Sequence, residues 1–223
     1  VPLTPLQEAA AGRLQASVRE APHFRLSADL VVDRLLDLRE RLDSPDAPVS
    51  VNDVLLKAVA TALARFPQVS ATFDAETGTV TRRGAADIAM AVAVADGLVT
   101  PVLRGADALG IREIAAATAE LAGRAREGRL SAADQTGGSF TVSNLGMFGV
   151  DRFDAIINPP QVAILAVGRA TERVVVGREG EPVVARVATV TLSCDHRVVD
   201  GATGARFLDV LRPLVEDPAT MLG

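Results

Sequence analysis

The sequence predicts an α+β fold built around a mixed β-sheet. Helix-like and strand-like segments follow one another along the 223 residues without the strict β-α-β alternation of a doubly wound parallel sheet. Capping residues mark several helix starts, and the second half of the chain is dominated by strand-like runs. Because 48% of the residues are hydrophobic, the chain can bury a substantial core, and we expect a single domain over residues 1–223.

The helices are predicted from caps and apolar periodicity. Thr4 and Gln7 form an N-cap and a capping box for the first helix. Asn52 is the predicted cap of a later helix, which Pro67 ends. The predicted helices span residues 5–20, 34–42 ("RLLDLRERL"), 52–66, 111–127 and 201–212.

The strands are predicted from alternation and from runs of β-branched residues. Phe24, Leu26, Ala28 and Leu30 alternate with polar residues, which is typical of a strand with one buried face. The segment "DSPDAP" is a predicted loop. Further strand-like stretches lie at residues 69–73, 87–95, 98–103, 138–143, 161–168, 172–177 and 183–194.

Composition argues against several classes of protein. No apolar stretch approaches the roughly 18 residues that cross a bilayer, and no signal-peptide pattern begins the chain. A net charge of −5 with interspersed charges, and the absence of Trp and Tyr, argue against nucleic-acid binding. A single cysteine excludes an internal disulfide and fits a reducing, cytoplasmic setting. We therefore expect a cytoplasmic protein that binds neither membranes nor nucleic acid.

Lysine is almost absent, since Lys57 is the only one in the chain and it lies within an apolar helical pattern. A covalent carrier attached through an exposed lysine must therefore belong to another chain or another domain.

The stretch "SCDHRVVDG" at 193–201 holds the only cysteine and one of two histidines. Cys194 continues an apolar strand face and is interpreted as a buried residue; it lies roughly 6.5 Å along the strand from His196, too far for a direct Cys-His pair. Asp200 reads as the N-cap of the last helix. On the residues alone His196 is most simply a hydrogen-bonded core histidine, and no metal site is predicted because ligand spacing is lacking.

The pattern of His196, three residues and then Asp-Gly resembles the catalytic core of the dihydrolipoamide acyltransferases. These are the E2 components of 2-oxo acid dehydrogenase complexes, and they share a fold with chloramphenicol acetyltransferase. The resemblance implies a two-layer sandwich with a mixed sheet. It extends over essentially the whole chain through "SVND" (50–53), "GLVTPV" (97–102), "GGSFTVSNLGMFGV" (137–150), "INPPQVAILAVG" (157–168) and "LSCDHRVVDGA" (192–202).

The resemblance implies transfer of an acyl group from a lipoyl thioester to the thiol of coenzyme A. His196 matches the general base, and Ser143 matches the hydroxyl that stabilises the transition state; on sequence alone Ser143 would be a turn residue. Asp200 is assigned an orienting role, with Arg13 as its candidate ionic partner. The amino-acid sequences of the motifs are most similar to those of acetyl-transferring members, although succinyl- and branched-chain-transferring relatives share the mechanism.

Coenzyme A is the implied substrate, and the resemblance carries its contacts onto Arg39, Ser50, Asn144 and Gly168. Arg39 would supply positive charge for the polyanionic ligand. The chain departs from its relatives in the first helix, where "LQEAAAGRL" supplies only Arg13 instead of several basic residues. His23, in the stretch "APHF", is interpreted as structural.

Family members form homotrimers in which the base and the hydroxyl come from neighbouring subunits. The resemblance also allows cages of 24 or 60 chains, joined through C-terminal apolar residues, here Met221 and Leu222. The implied partners are the lipoyl domain and the E1 and E3 components. We expect the lipoyl group to be supplied by a domain outside this chain, with lipoyl and peripheral-subunit-binding domains upstream.

Two other functions remain open from the sequence. One is a free-standing coenzyme A-dependent O-acetyltransferase that uses the same catalytic pair. The other is a catalytically silent structural core, although such subunits tend to lose the histidine or the serine. Peptide-condensing domains carry a related motif but are about twice as long and usually have a second histidine at the position of Asp195.

Overall fold

The computed structural model describes residues 2–95, 97–177 and 179–221, which fold as helices packed against a mixed β-sheet. The helices within these ranges are α1 (Pro5–Glu20), α2 (Asp33–Leu42), α3 (Val51–Arg65), α4 (Ile111–Arg126) and α5 (Gly201–Glu216). The strands are β1 (His23–Val31), β2 (Ala71–Asp74), β3 (Thr79–Arg82), β4 (Ile88–Met90), β5 (Val92–Val94), β6 (Gly97–Val99), β7 (Val102–Leu103), β8 (Phe140–Asn144), β9 (Ala163–Val176) and β10 (Pro182–Asp195). The predicted α+β class is confirmed.

Six strands form the main sheet in the order β1-β10-β9-β8-β4-β7. Strand β8 runs parallel to both β9 and β4, whereas β1, β10 and β9 are antiparallel neighbours. The sheet is therefore mixed, as the sequence predicts. Strands β2 with β3, and β5 with β6, form separate two-stranded ribbons.

The core lies between one face of the sheet and helices α3 and α5. Leu192 and Cys194 of β10 are fully buried there, and the rings of Phe140 and Phe207 meet with centroids 5.7 Å apart. Burying one such large side chain contributes about 1.5–3 kcal/mol. On the opposite face, the segment 153–157 packs on the first residues of β9, Ile164 and Ala166.

The predicted capping box of α1 is present. The Thr4 hydroxyl accepts from the Gln7 N–H (3.3 Å), and the Gln7 side chain accepts from the Thr4 N–H (3.0 Å). Satisfying two otherwise unpaired donors in this way explains why the helix starts at Pro5. Helices α2 and α4 also match their predictions closely.

The predicted cap of α3 is wrong by two residues. Ser50, not Asn52, is the N-cap: its hydroxyl accepts from the Asp53 N–H (3.2 Å), and the Asp53 carboxylate accepts from the Ser50 N–H (2.7 Å). This pair satisfies both donors, so the helix begins at Val51 and Asn52 is left with its side chain available for another contact.

Several strand boundaries also differ from the predictions. The stretches 87–95 and 98–103 each divide, because β4 and β7 stay in the main sheet while β5 and β6 pair with each other. The stretches 161–168 and 172–177 join into one strand, β9, because β10 pairs with it along its length. The hairpin partner β3 was not predicted, since its four residues are exposed and lack an alternating pattern.

Helix α5 continues past its predicted end at residue 212. Pro213 lies inside the helix and removes one backbone donor. The buried side chains of Leu211, Leu214 and Val215 keep the last turn packed on the core. Tertiary packing here outweighs the local preference to stop.

Candidate active site

His196 follows the last residue of β10, in the turn that leads into α5. Its backbone N–H donates to the carbonyl of Pro22 (3.0 Å), which fixes the turn beside the start of β1. The imidazole is exposed and meets the ring of Phe24 edge-on, with centroids 5.0 Å apart. Among the described residues no side chain or backbone group is hydrogen-bonded to this ring. The residue is therefore not the buried core histidine that the local sequence favours.

The two neighbours of His196 hold the turn rigidly. Asp195 is 3% exposed, and its carboxylate accepts from the backbone N–H (3.0 Å), Nε (3.0 Å) and a terminal nitrogen (2.6 Å) of Arg197. This hydrogen bonding raises the pKa of the Arg197 guanidinium, which also lies 4.7 Å from the ring centroid of Phe73. The backbone on either side of His196 is therefore fixed, and this holds the position from which its side chain extends.

Asp200 caps helix α5, as predicted. Its carboxylate accepts from the Thr203 N–H (2.7 Å), and the hydrogen bonds from Thr203 lower the pKa of Asp200. The predicted partnership with Arg13 is not found: in the part of the chain that is described, no ion pair joins the two residues. Arg13 instead lines a small depression beside Asp195.

Ser143 lies near the end of β8, half-buried and in register with Ala166 of β9. The next residue, Asn144, braces the following loop. Its amide nitrogen donates to Asn52 (3.2 Å), and its side-chain oxygen accepts from the Gly146 N–H (2.9 Å). The α3 N-terminus and the serine loop are therefore tied together.

Two adjoining clefts open at the end of β8, and Ser143 lines the larger of them. The larger, of about 690 Å³, is lined by Ser143, Arg39, Ser50 and Asn144. The smaller, of about 400 Å³, is lined mainly by apolar side chains and shares Ser50 and Asn144 with the first; it also reaches Gly168. Three of the four predicted coenzyme positions therefore share a cleft with Ser143, and the fourth, Gly168, lines the adjoining cleft.

Arg39 and Gly168 also contribute to the fold, Arg39 through polar contacts and Gly168 through close backbone packing. The Arg39 guanidinium pairs with Asp43 (2.8 Å), and its Nε donates to the carbonyl of Val49 (2.8 Å). At Gly168 an added Cβ would lie 1.9 Å from the carbonyl oxygen of Asp151. A side chain is excluded there by close approach of the backbone.

Ser143 and His196 are far apart within one chain. Ser143 pairs with Ala166, which pairs with Thr191 of β10, and His196 lies five residues beyond Thr191. Two strand spacings across the sheet and five residues along it give a separation of roughly 20 Å. No rotamer change bridges that gap, so a single chain does not bring the two side chains together.

The remaining reactive side chains of the sequence are structural. The ring of His23 accepts from the Ile157 N–H (3.1 Å) at Nε2 and contacts the carbonyl of Ala21 (2.8 Å) through Nδ1, which must carry the proton. Cys194 is buried, and burial raises the pKa of its thiol to about 12. Both sequence interpretations are confirmed.

Sequence reasoning missed four residues that line the clefts. Asn52, read as a cap, lines both clefts and holds Asn144. Arg126, the last residue of α4, lines the larger cleft, and so do the exposed side chains of Met147 and Phe148. For Arg126 the sequence did hold a signal, because it follows Ala115, Ala119 and Ala122 at helical spacing.

Helices of the described ranges are all too short or too polar to cross a membrane. Within the same ranges, histidine, cysteine and acidic side chains form no group of three that could hold a metal ion.

Known proteins share the sequence pattern and the fold of this chain. Residues 1–223 match the family described as 2-oxoacid dehydrogenases acyltransferase (catalytic domain). The chain is 43% identical over 217 residues to the dihydrolipoyllysine-residue acetyltransferase component of the pyruvate dehydrogenase complex of Rickettsia bellii, covering 95% of this chain and 51% of that protein. The chain thus spans about half the length of the curated relatives it matches.

Solved structures extend the comparison to the fold. The dihydrolipoamide acetyltransferase of Azotobacter vinelandii, studied for the role of a serine, a histidine and an asparagine in its mechanism, superposes with a TM-score of 0.95 at 32% identity, covering 100% of this chain and 93% of that one. The cubic core of a pyruvate dehydrogenase multienzyme complex gives the same values.

A chloramphenicol acetyltransferase superposes with a TM-score of 0.59 at 14% identity, covering 92% of this chain and 94% of that one. That likeness confirms the predicted chloramphenicol acetyltransferase-like fold. The chain belongs to the 2-oxoacid dehydrogenases acyltransferase (catalytic domain) family.

Proposed function

We propose that this chain is the single catalytic domain that transfers an acetyl group from S-acetyl-dihydrolipoamide to coenzyme A. The observation that carries the proposal is the division of the site. Ser143 and the four predicted coenzyme positions border adjoining clefts, while the exposed, unbonded His196 stands roughly 20 Å away on the same sheet. Two half-sites of this kind become one active site when two copies of the chain meet.

His196 acts as the general base on the thiol of coenzyme A. An ordinary thiol has a pKa near 8.5 and an ordinary imidazole near 6.5, so the proton transfer is uphill by about 2.7 kcal/mol. Holding the two groups in contact offsets this cost. A carboxylate partner for the imidazole is not required, which agrees with the absence of such a contact among the described residues.

The thiolate then attacks the carbonyl carbon of the thioester and forms a new carbon–sulfur bond. Negative charge develops on the carbonyl oxygen, and the Ser143 hydroxyl donates to it; one such donor is worth about 3 kcal/mol. Collapse of the tetrahedral intermediate breaks the bond to the dihydrolipoamide sulfur, which takes the proton back from the imidazolium. Acetyl-coenzyme A and dihydrolipoamide leave, and no other reactant is consumed.

Asp200 is proposed as a positioning residue. By capping α5 it fixes the end of the turn that begins at His196, and its carboxylate adds a favourable charge to the imidazolium that forms. In the Azotobacter relative the asparagine studied lies four residues after the histidine, as Asp200 does here. An amide oxygen can make the same cap, which supports an orienting role.

We propose that the chain assembles as a homotrimer. The exposed apolar side chains of the described residues include Leu6, Leu14 and Val18 on α1, and Val174 and Val184 on the β9–β10 hairpin. Such surfaces are typical of subunit contacts. The likeness to a cubic core supports an assembly larger than a trimer, with 24 or 60 chains as the proposed cage sizes.

The predicted cage contact needs one correction. The Met221 side chain packs beside α5 and is buried in the core of its own chain. It is therefore not exposed for contact with a neighbouring trimer. Leu222, the second predicted contact residue, lies outside the described residues. A cage contact through this end of the chain would have to use other atoms than the Met221 side chain.

The proposed partners are a lipoyl domain and the E1 and E3 components of the complex. Lys57 donates to the carbonyls of Asp107 (2.8 Å) and Leu109 (2.7 Å), and burial lowers its pKa. The only lysine is thus occupied within the fold, which supports a lipoyl group carried outside this chain. A cytoplasmic setting is part of the proposal, supported by the bacterial relatives, although other relatives are mitochondrial.

The proposal is tested by steady-state acyl transfer to coenzyme A from acetyl-, succinyl- and isobutyryl-dihydrolipoamide. We expect the acetyl donor to be used best, and the substitution His196→Ala to lower kcat by about 10²- to 10⁴-fold without changing the mass of the assembly. Unchanged turnover would contradict the assignment of the base. Transfer to small alcohols in preference to dihydrolipoamide would indicate the O-acetyltransferase, and no transfer by an intact assembly would indicate the silent core.

A further inference from the structure

Four charged side chains line the larger cleft, and three of them are already occupied. Arg39 and Asp43 form an ion pair at 2.8 Å, and Asp43 also accepts from the Val49 N–H (2.9 Å). The Nε of Arg39 donates to the carbonyl of Val49. These contacts fix the position of the Arg39 guanidinium, and Asp43 offsets its positive charge, so Arg39 offers an anion less uncompensated charge than an unpaired arginine would.

The third charged group, Asp53, is buried and serves the helix start. Its carboxylate accepts from the N–H (2.7 Å) and hydroxyl (2.6 Å) of Ser50 and from the hydroxyl of Thr118 on α4 (2.6 Å). Its charge lies in the first turn of α3, where the partial positive charge of the helix start offsets it. An anion in the cleft therefore meets little uncompensated negative charge.

Arg126 is the fourth charged group and differs from its neighbours. It is exposed at the end of α4, and no acidic side chain of the described residues lies within ion-pair distance of it. The nearby arginines are paired, Arg124 with Asp134 (3.0 Å) and Arg129 with Glu127. Among the described cleft residues, Arg126 is the cation that no carboxylate pairs with, so its charge remains available to a ligand.

We propose that Arg126 binds the diphosphate of coenzyme A in the larger cleft, and so supplies the positive charge that the family resemblance assigns to Arg39. The inference rests on the proposed function, because it identifies the cation that holds that reaction's acceptor. Arg39 keeps a structural role, in which it ties the end of α2 to the loop before α3 through Asp43 and Val49.

The length of α4 fits this assignment. Thr118 contacts Asp53 at the α3 N-terminus, where Asn52 holds Asn144 next to Ser143. Arg126 lies eight residues further along the helix, a rise of about 12 Å. If each covalent bond of the pantetheine arm adds the same length as a bond in an extended peptide chain, the arm spans about 15 Å from its sulfur to the first phosphate. A thiol held at Ser143 therefore leaves the diphosphate within reach of Arg126.

The experiment compares Arg126→Gln with Arg112→Gln in the assembled protein, with acetyl-dihydrolipoamide as donor. Arg112 is an exposed arginine of the same helix that does not line the cleft, so it controls for the change in net charge. The acceptors are coenzyme A, dephospho-coenzyme A and pantetheine. We expect R126Q to raise the KM for the first two by about tenfold, to leave kcat and the KM for pantetheine unchanged, and R112Q to change none of them.

Three results would overturn the proposal. One is a KM for coenzyme A in R126Q equal to that of R112Q, and another is an equal rise for pantetheine, which carries no phosphate. The third is a rise for coenzyme A but not for its dephospho form, because the contact would then be to the 3′-phosphate. Binding of coenzyme A by calorimetry separates this proposal from the proposed function: a wild-type protein that binds without transferring contradicts only the latter.

Discussion

Asp200 links the chemistry of the catalytic turn to the stability of the fold. Hydrogen bonds from Thr203 lower the pKa of its carboxyl below the ordinary 3.8, so the ionised form is the one that the native state prefers. A carboxyl with a lowered folded pKa stabilises the protein above its unfolded pKa, and that stability is lost as the pH falls through the folded value. The contribution is therefore complete at neutral pH.

We expect Asp200→Ala to lower the Tm at pH 7, and the difference from wild type to shrink below pH 3.8. Asp200→Asn should keep most of the cap at every pH, because its amide oxygen can accept from the Thr203 N–H. Thermal unfolding of the three proteins at pH 7 and pH 3 measures this. If the Tm of the alanine variant lay below that of wild type by the same amount at both pH values, the hydrogen bonds of the cap would not be the cause of the lowered Asp200 pKa.

The local sequence predicts the burial and contacts of some side chains and not of others. Cys194 is recognisable as a core residue because it continues an apolar strand face. The exposure of His196 could not be read from the same alternation, since the strand ends at Asp195 and the turn redirects the side chain. Arg39 could have been recognised as occupied, because Asp43 stands four residues later on one helix face.

At the scale of elements, the β8–β9 region positions the clefts through close backbone packing. The Arg169 N–H donates to the carbonyl of Val150 (2.8 Å), and the carbonyl of Asp151 approaches Gly168 so closely that only a hydrogen fits. Gly146 is similarly confined, since a methyl group added there would lie 3.0 Å from the carbonyl oxygen of Gly168. The loop after Ser143 therefore depends on the glycine at 146, and the position of the segment 150–152 depends on the glycine at 168.

Gly168→Ala should lower the free energy of unfolding by about 2–3 kcal/mol, because the added methyl displaces backbone rather than a flexible side chain. The matched control is Gly12→Ala in α1, where an added Cβ meets nothing within 4 Å; it should stabilise by about 0.5–1 kcal/mol. Urea unfolding with a common m-value measures both. If the G168A protein were as stable as wild type, the segment 150–152 would be able to move away from the added methyl group at little cost in free energy.

Helices were more predictable than strands because their signals are local. The Thr4–Gln7 box fixes the start of α1 with four consecutive residues, whereas the split of 87–95 depends on which distant strands pair with each half. The cap of α3 was misplaced because Ser50 and Asn52 are both good cap formers. Only the reciprocal contact with Asp53 selects Ser50.

At the scale of the whole molecule, strand order decides how the active site can form. Strand β9 separates the strand of Ser143 from the strand that ends before His196, and this order keeps the two side chains roughly 20 Å apart in every copy. No single motif of the sequence holds this information, since it arises from the register of three strands. If Ser143 and His196 act in one site, as proposed, activity requires a second chain.

Co-expression of His196→Ala with Ser143→Ala tests this requirement. Each variant alone should lose about 10²-fold or more in kcat, because each lacks one half of every site. In mixed assemblies a site pairs the histidine of one chain with the serine of its neighbour, so about a quarter of randomly formed sites contain both intact groups. We expect co-expression to restore about a third of wild-type kcat in trimers purified through tags on both variants, because each such trimer holds one intact site of three, and about a quarter in larger cages. The double variant H196A/S143A co-expressed with wild type is the control for subunit mixing. If each chain held a complete site, mixing the single variants would leave activity at the level of the variants alone, whatever the symmetry of the assembly.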